Sequence, residues 1–187
     1  MEEHHVCPWQ HGPLLASAFR RLLQSPDRLL GPYLRRGMTA VDIGCGMGYF
    51  TIPMKGLVGV EGTVIAVDLQ PEMLEGLKQR AEKAGCPGIE LHQCGNGSLE
   101  LGEWTGCADF ALVFWMLHEA PDSRHLIGEV HSLLSENGRL LLAEPNGHVN
   151  AERFDECRDM IVSLGFKLLA TPKIALSRAA LFERVAL

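Results

Sequence analysis

The chain lacks any apolar run long enough to span a bilayer, so no membrane-crossing helix is predicted. It has no C-x-x-C pair. Its six cysteines, Cys7, Cys45, Cys86, Cys94, Cys107 and Cys157, read as free thiols of a reducing compartment. It also lacks an excess of basic charge. Lys plus Arg number 17 against 23 Asp plus Glu, a formal net charge of −6, which argues against a nucleic-acid partner. Arg20, Arg21, Arg35 and Arg36 read as a solvated helix face rather than a basic patch. The start, Met-Glu-Glu-His-His, shows no basic patch followed by an apolar stretch. No signal peptide is expected, and the cytoplasm is the simplest location. There is no internal repeat and no low-complexity segment. What remains is 187 residues, 47% hydrophobic, enough for one domain with a sizeable core.

The most informative segment is Val41-Asp42-Ile43-Gly44-Cys45-Gly46-Met47-Gly48-Tyr49-Phe50-Thr51. It reads as a buried strand entering a glycine-rich turn, with Asp42 just ahead of the first glycine. Asp68 closes the next apolar run, Thr63-Val64-Ile65-Ala66-Val67. The glycine spacing is G-x-G-x-G, and Tyr49 stands where a third dinucleotide-fingerprint glycine would be. A carboxylate at 42 would repel a pyrophosphate but attract a cationic ligand, directly or through water. Asp68 is placed to accept from both hydroxyls of a ribose. A nicotinamide-dependent reductase is therefore disfavoured.

On these residues the chain resembles the class I methyltransferases that use S-adenosylmethionine. Asp42-x-Gly44-x-Gly46-x-Gly48 is similar to that family's first motif and Val64-Ile65-Ala66-Val67-Asp68 to its acidic strand end. The stretches 108–118 and 134–145 extend the likeness through a fourth and a fifth strand, over roughly residues 37 to 187. The resemblance implies an α/β fold, a doubly wound Rossmann-like sheet of seven strands ordered 3-2-1-4-5-7-6. The last strand is inserted antiparallel, and helices cover both faces.

Pattern and punctuation place the elements. Strands are predicted at Thr39–Ile43, Thr63–Asp68, Ile89–Gln93, Asp109–Trp115 and Arg139–Ala143, then an antiparallel pair at 166–171 and 179–185. Helices are predicted at 50–58, 71–84, 123–134 and 151–164. Two short helices should lie within 14–34, the second capped by Ser25 with Pro26 at its first position. Residues 1–36 are read as a lid and helices packed on a core formed by 37–187. Trp9 would help to exclude water. His4, His5, Cys7 and His11 are zinc-binding types, but their spacing matches no metal signature, so no metal site is assigned.

Ligands in such sheets bind beyond the carboxyl ends of the strands. Residues 44–48, 68–69, 93–98, 114–119 and 144–148 are therefore expected around one crevice. Gly44, Cys45, Gly46, Gly48, Asp42, Asp68 and Phe114 would hold the cofactor, with Leu69 over one face of the adenine. Relatives often carry an acid after the third strand for the adenine amine. Gly95 stands in that position, leaving Asn96 or the backbone to replace it. Trp115, His118 and Trp9 are candidates for the acceptor pocket. Glu144 and His148 could take the acceptor's proton; alternatively Glu144 fixes its loop by pairing with an arginine from 20–36. The resulting expectation is in-line methyl transfer to a small-molecule acceptor. The alternatives are a non-catalytic sensor or partner subunit that binds the cofactor or its product, and methylation of a metalloid. The tetrapeptide Asn/Asp-Pro-Pro-aromatic, the mark of amino-methylating DNA enzymes, is absent after the fourth strand.

Overall fold

Strands β1 (Thr39–Ile43) and β2 (Thr63–Asp68) carry apolar side chains at successive positions, the pattern of strands covered on both faces. Every residue after the first in each is buried. The computed structural model describes residues 23–185. Its strands form a seven-stranded sheet in the order β3-β2-β1-β4-β5-β7-β6, as expected. The described residues fall into two compact units, 23–94 and 95–185. The division lies at Cys94/Gly95. Residues 1–22, read from the sequence as part of a lid and including Trp9, Arg20, Arg21 and the His/Cys cluster, lie outside the described residues.

In the first unit β1, β2 and β3 (Ile89–Gln93) run parallel, with Thr39 opposite Thr63 and Asp68 opposite Gln93. Helix α1 (Pro26–Leu30) starts at a proline, whose fixed φ suits a first turn. Ser25 precedes it but makes no side-chain cap. The turn is held instead by burial of Leu30 and Leu34 and by Arg35, whose guanidinium donates to the Gly31, Pro32 and Leu34 carbonyls. Arg35 is thus spent on a helix end and adds nothing to a basic face. Residues 23–36 belong with the core of this unit. The Tyr49 hydroxyl donates to the buried Gln24 carbonyl at 2.8 Å. Helix α2 (Thr51–Val58) follows the glycine loop. Helix α3 (Pro71–Lys83) buries Met73, Leu74, Leu77 and Ala81, one stripe at helical spacing.

In the second unit β4 (Ala108–Phe114) and β5 (Leu134–Pro145) are parallel. β7 (Ser177–Arg184) runs antiparallel to both β5 and β6 (Phe166–Ala170). Helix α4 (Ser123–Leu133) is capped by Asp122, which accepts the His125 N–H at 2.9 Å. Helix α5 (Ala151–Ser163) is capped likewise by Asn150 and the Arg153 N–H, at 2.9 Å. β5 begins five residues earlier than the sequence suggests. Leu134 already pairs with Ala108, and the ladder then shifts register before Phe110. Asn137, at φ 62°, makes the local turn. A Cβ on Gly138 would lie 2.9 Å from the Ala108 and Ser135 carbonyl oxygens, so the Asn137-Gly138 pair is a kink inside the strand rather than a break before it.

Candidate cofactor loop and candidate acceptor site

The loop after β1 is fastened by backbone and carboxylate. Gly44 and Cys45 both donate to the Val67 carbonyl at the end of β2, at 2.9 and 3.0 Å. Gly44, Gly46 and Gly48 have φ of 70°, 52° and 78°, the left-handed region that favours glycine. Asp68 lies beside the loop. Its Oδ2 accepts the Gly46 N–H at 2.8 Å and its Oδ1 the Gln70 N–H at 3.0 Å. Burial raises the Asp68 pKa, and these backbone hydrogen bonds oppose the rise without cancelling it. A carboxylate has roughly four acceptor positions, so two backbone bonds do not exhaust it. A Cβ at Gly46 would meet only Met73 Sδ, at 4.0 Å. An open backbone cradle next to a carboxylate fits an adenosyl ligand with vicinal hydroxyls.

The other loop residues divide differently from the sequence reading. A Cβ on Gly48 would overlap Leu77 of α3, so this glycine is needed for the loop to lie close on that helix. Arg80 of α3 donates to the Met47 carbonyl and holds the same contact. The Cys45 side chain faces inward, in a cluster with Ala66, Leu74 and Leu77, leaving only its backbone to a ligand. Burial, and then the charges of Asp42 and Asp68, raise its thiol pKa well above the usual range. Asp42 is 2% exposed and accepts the Thr51 hydroxyl at 2.6 Å, tying the end of β1 to the first residue of α2. Its carboxylate is thus turned into the unit rather than presented at the surface. Leu69 is half-buried, and its carbonyl accepts from the Gln93 amide.

Residues 95–101 belong to the second unit. Gly95 and Ser98 form an isolated antiparallel bridge around Asn96, which is exposed, and Gly97 at φ 103°. Glu129 of α4 clamps this turn. Its two oxygens accept the Ser98 hydroxyl at 2.8 Å and the Leu99 N–H at 2.9 Å. Glu100 then adopts φ 55°, and its carboxylate occupies the space that a side chain at Gly95 would fill. A carboxylate from five residues later thus lies where a side chain at position 95 would project. Only its left-handed backbone brings it there, and nothing in the residue pattern signals that. Glu129 was missed for the same reason: its partners are about 30 residues away.

At the carboxyl ends of β4 and β5 the second unit gathers five of the residues singled out from the sequence. Glu144 is 2% exposed. Its Oε1 accepts the Leu117 N–H at 2.9 Å and its Oε2 meets His118 Nδ1. His118 Nε2 lies 3.2 Å from Nδ1 of the exposed His148. Burial lowers the His118 pKa, but the Glu144 hydrogen bond and the charges of Glu144 and Glu119 outweigh it, and the net shift is upward. Among the described residues, Glu144 holds its loop through a histidine and a backbone N–H. Cys157 of α5 feels the same carboxylate: burial, with Glu144 adding, pushes its thiol up to about 12. Trp115 has φ 61° and its indole N–H donates to the Ser177 hydroxyl at 2.8 Å. Leu176, also at φ 61° and 59% exposed, accepts through its carbonyl from the Asn146 N–H at 3.0 Å. Phe114 is buried beside Trp115, with ring centroids 5.5 Å apart. No cluster of three or more metal-ligating side chains occurs among the described residues, nor a helix long and apolar enough to cross a membrane.

The sequence model of a methyltransferase-domain family matches residues 34–171. The chain belongs to that family and has the class I S-adenosylmethionine-dependent methyltransferase fold, with S-adenosylmethionine as the implied cofactor. A demethylmenaquinone methyltransferase of Bacillus cereus (strain AH187) is 29% identical over 111 residues, covering 59% of this chain and 46% of the relative. The chain thus spans about half the length of the curated relatives it matches. Among solved structures, an S-adenosylmethionine-dependent methyltransferase from Aquifex aeolicus superposes with a TM-score of 0.86. It shares 19% identity and covers 97% of this chain and 100% of that one. The [4+2]-cyclase SpnF superposes at 0.72 with 13% identity, covering 85% and 79%. At such identities the likeness is one of fold, and a fold hosts more than one reaction. The reaction has to be argued from the side chains.

Proposed function

We propose that this protein is an S-adenosylmethionine-dependent methyltransferase acting on a small, largely apolar acceptor by in-line displacement. The observation that carries the reading is the cradle at Gly46 beside Asp68, joined in one chain to a second unit whose strand ends carry Trp115, Leu176 and an imidazole pair. The family match supports the cofactor. The demethylmenaquinone methyltransferase likeness and the acidic net charge of −6 favour a small molecule over a nucleic acid. When bound, S-adenosylmethionine supplies an electrophilic methyl on a sulfonium. The protein's part is orientation. Asp68 receives ribose hydroxyls while holding the Gly46 N–H. Trp115 and Leu176 give the acceptor an apolar surface. Holding reactants in near-attack geometry is worth roughly 7–11 kcal/mol of barrier.

Calorimetric titration with S-adenosylmethionine, S-adenosylhomocysteine and NADH in parallel tests the cofactor half. Micromolar binding of the two adenosyl ligands and none of NADH is expected; preference for NADH, or no adenosyl binding, would overturn the reading. Transfer of a labelled methyl group to small acceptors, with none to DNA, RNA or protein, tests the acceptor half.

A further inference from the structure

Three side chains from two strand ends line up from the interior to the surface, and the hydrogen-bond inventory fixes which way their protons point. Glu144 accepts on both oxygens, from the Leu117 N–H and from His118. His118 therefore carries its proton on Nδ1. In the neutral ring Nε2 is then an acceptor. The atom facing it, His148 Nδ1 at 3.2 Å, must be the donor. That leaves the lone pair of His148 on Nε2, at the exposed end of the chain of groups. The two rings meet edge to face, with centroids 5.2 Å apart and planes at 72°. The Pro145 carbonyl accepts the His148 and Val149 N–H groups at 3.1 and 3.0 Å, which fixes the turn that carries the outer ring.

We propose that His148 is the general base of this methyltransferase, with His118 and Glu144 as positioning residues behind it, and that the acceptor is a phenolic or enolic hydroxyl on an apolar body. The proposal rests on the methyltransferase reading above. The acceptor O–H gives its proton to His148 Nε2, and the His148 Nδ1 proton passes to His118 Nε2. The acceptor oxygen forms its bond to the methyl carbon as the S–C bond breaks, and that electron pair stays on a neutral thioether sulfur. The positive charge comes to rest on His118, between Glu144 and Glu119, whose Oε1 is 3.9 Å from Nε2. The other charged or titratable groups nearby are Cys157 of α5, which feels Glu144, and Arg178 of β7. Arg178 stands opposite Glu144 in the ladder and donates to the Asn146 amide oxygen at 2.5 Å. The thiol is too weakly acidic to ionise near neutrality, and the guanidinium is fixed in charge, so neither replaces the relay.

The same strand ends indicate the body of the acceptor. Trp115 and Leu176 both hold left-handed backbone, the kind of strain that collects at functional sites. Ser177 and Asn146 lock that strain in place. An indole and a leucine held 59% exposed suit an aromatic or alicyclic ring. A thiol acceptor would ionise unaided and leave the relay without purpose.

The test uses labelled S-adenosylmethionine with 2-naphthol, 4-methylumbelliferone and 1,3-cyclohexanedione as hydroxyl probes and 2-naphthalenethiol as the thiol probe. Methyl transfer to at least one hydroxyl probe is expected. His148→Gln should lower its kcat by about a hundredfold or more, with KM and cofactor affinity unchanged and thiol transfer, at a pH where the thiolate already prevails, altered less than threefold. Glu144→Gln puts an amide donor against His118 and inverts both tautomers. It should lose kcat comparably, while ¹⁵N spectra of the cofactor-free protein show His148 changing from the Nδ1–H to the Nε2–H form. Equal losses on hydroxyl and thiol probes, or no hydroxyl transfer by a protein that binds the cofactor, would overturn the proposal. So would a wild-type His148 already in the Nε2–H form at a pH high enough for His118 to be neutral. The tautomer measurement needs no cofactor, so it decides the relay even if titration removes the parent reading.

Discussion

The two units treat their buried carboxylates in opposite ways. In residues 23–94, Asp42 and Asp68 are bound by a hydroxyl and by two backbone N–H groups, donors that cannot gain or lose a proton near neutral pH. In residues 95–185, Glu144 accepts one backbone N–H and one imidazole, which can. The first arrangement makes a mould of fixed charge; the second sets a carboxylate against a group that titrates, as the proposed relay requires. A cofactor that is the same in every turnover suits a fixed mould, whereas an acceptor that must be deprotonated needs a titrating partner.

The sharpest way to break the mould is Gly48→Ala. Its Cβ would overlap Leu77 at a φ of 78°, and a loss of about 3 kcal/mol in urea-unfolding stability is expected. A stability equal to wild type would mean that the loop shifts without cost. Asp68→Ala comes next. It removes the acceptor of the Gly46 and Gln70 N–H groups, and calorimetry should show adenosyl affinity weakened by about 2 kcal/mol. Glu129→Ala frees the Ser98–Leu99 turn in the second unit. A loss of about 1.5 kcal/mol is expected, together with faster amide exchange at Leu99.

The smallest effect is one of pH. The folded pKa of His118 is raised, so the stability this gives is fully present below the unfolded value of about 6.5 and is lost as pH rises through the folded one. Glu144→Gln should therefore destabilise most at pH 5.5 and progressively less at 7 and 8.5 in urea titrations. A pH-independent difference would mean that the carboxylate acts on folding only through the Leu117 N–H.

Elements governed by local pattern were legible from residue order. β1, β2 and β3 occupy the expected residues, and the proline starts of α1 and α3 and the glycine end of α3 lie within a residue or two of expectation, whereas α1 stops at Leu30, short of the expected 34. Where distant backbone competed, the pattern misled. Asn137-Gly138 reads as a stop, yet β4 captures Leu134 and draws the turn into β5. Cys45 sits in a motif that contacts ligands, yet its small apolar side chain turns into the Leu74–Leu77 cluster.

The order of apolar runs, glycines and acids determined the sheet, its family and the position of the cofactor loop. These follow from preferences that act over a few residues, such as strand burial on both faces and the left-handed freedom of glycine. Only the tertiary structure decided that Glu144 grips His118 from 26 positions away, that His148 completes the chain of groups, and that Glu100 fills the space over Gly95. Such meetings depend on strand register and on single left-handed residues, where a shift of one position would turn every side chain to the other face.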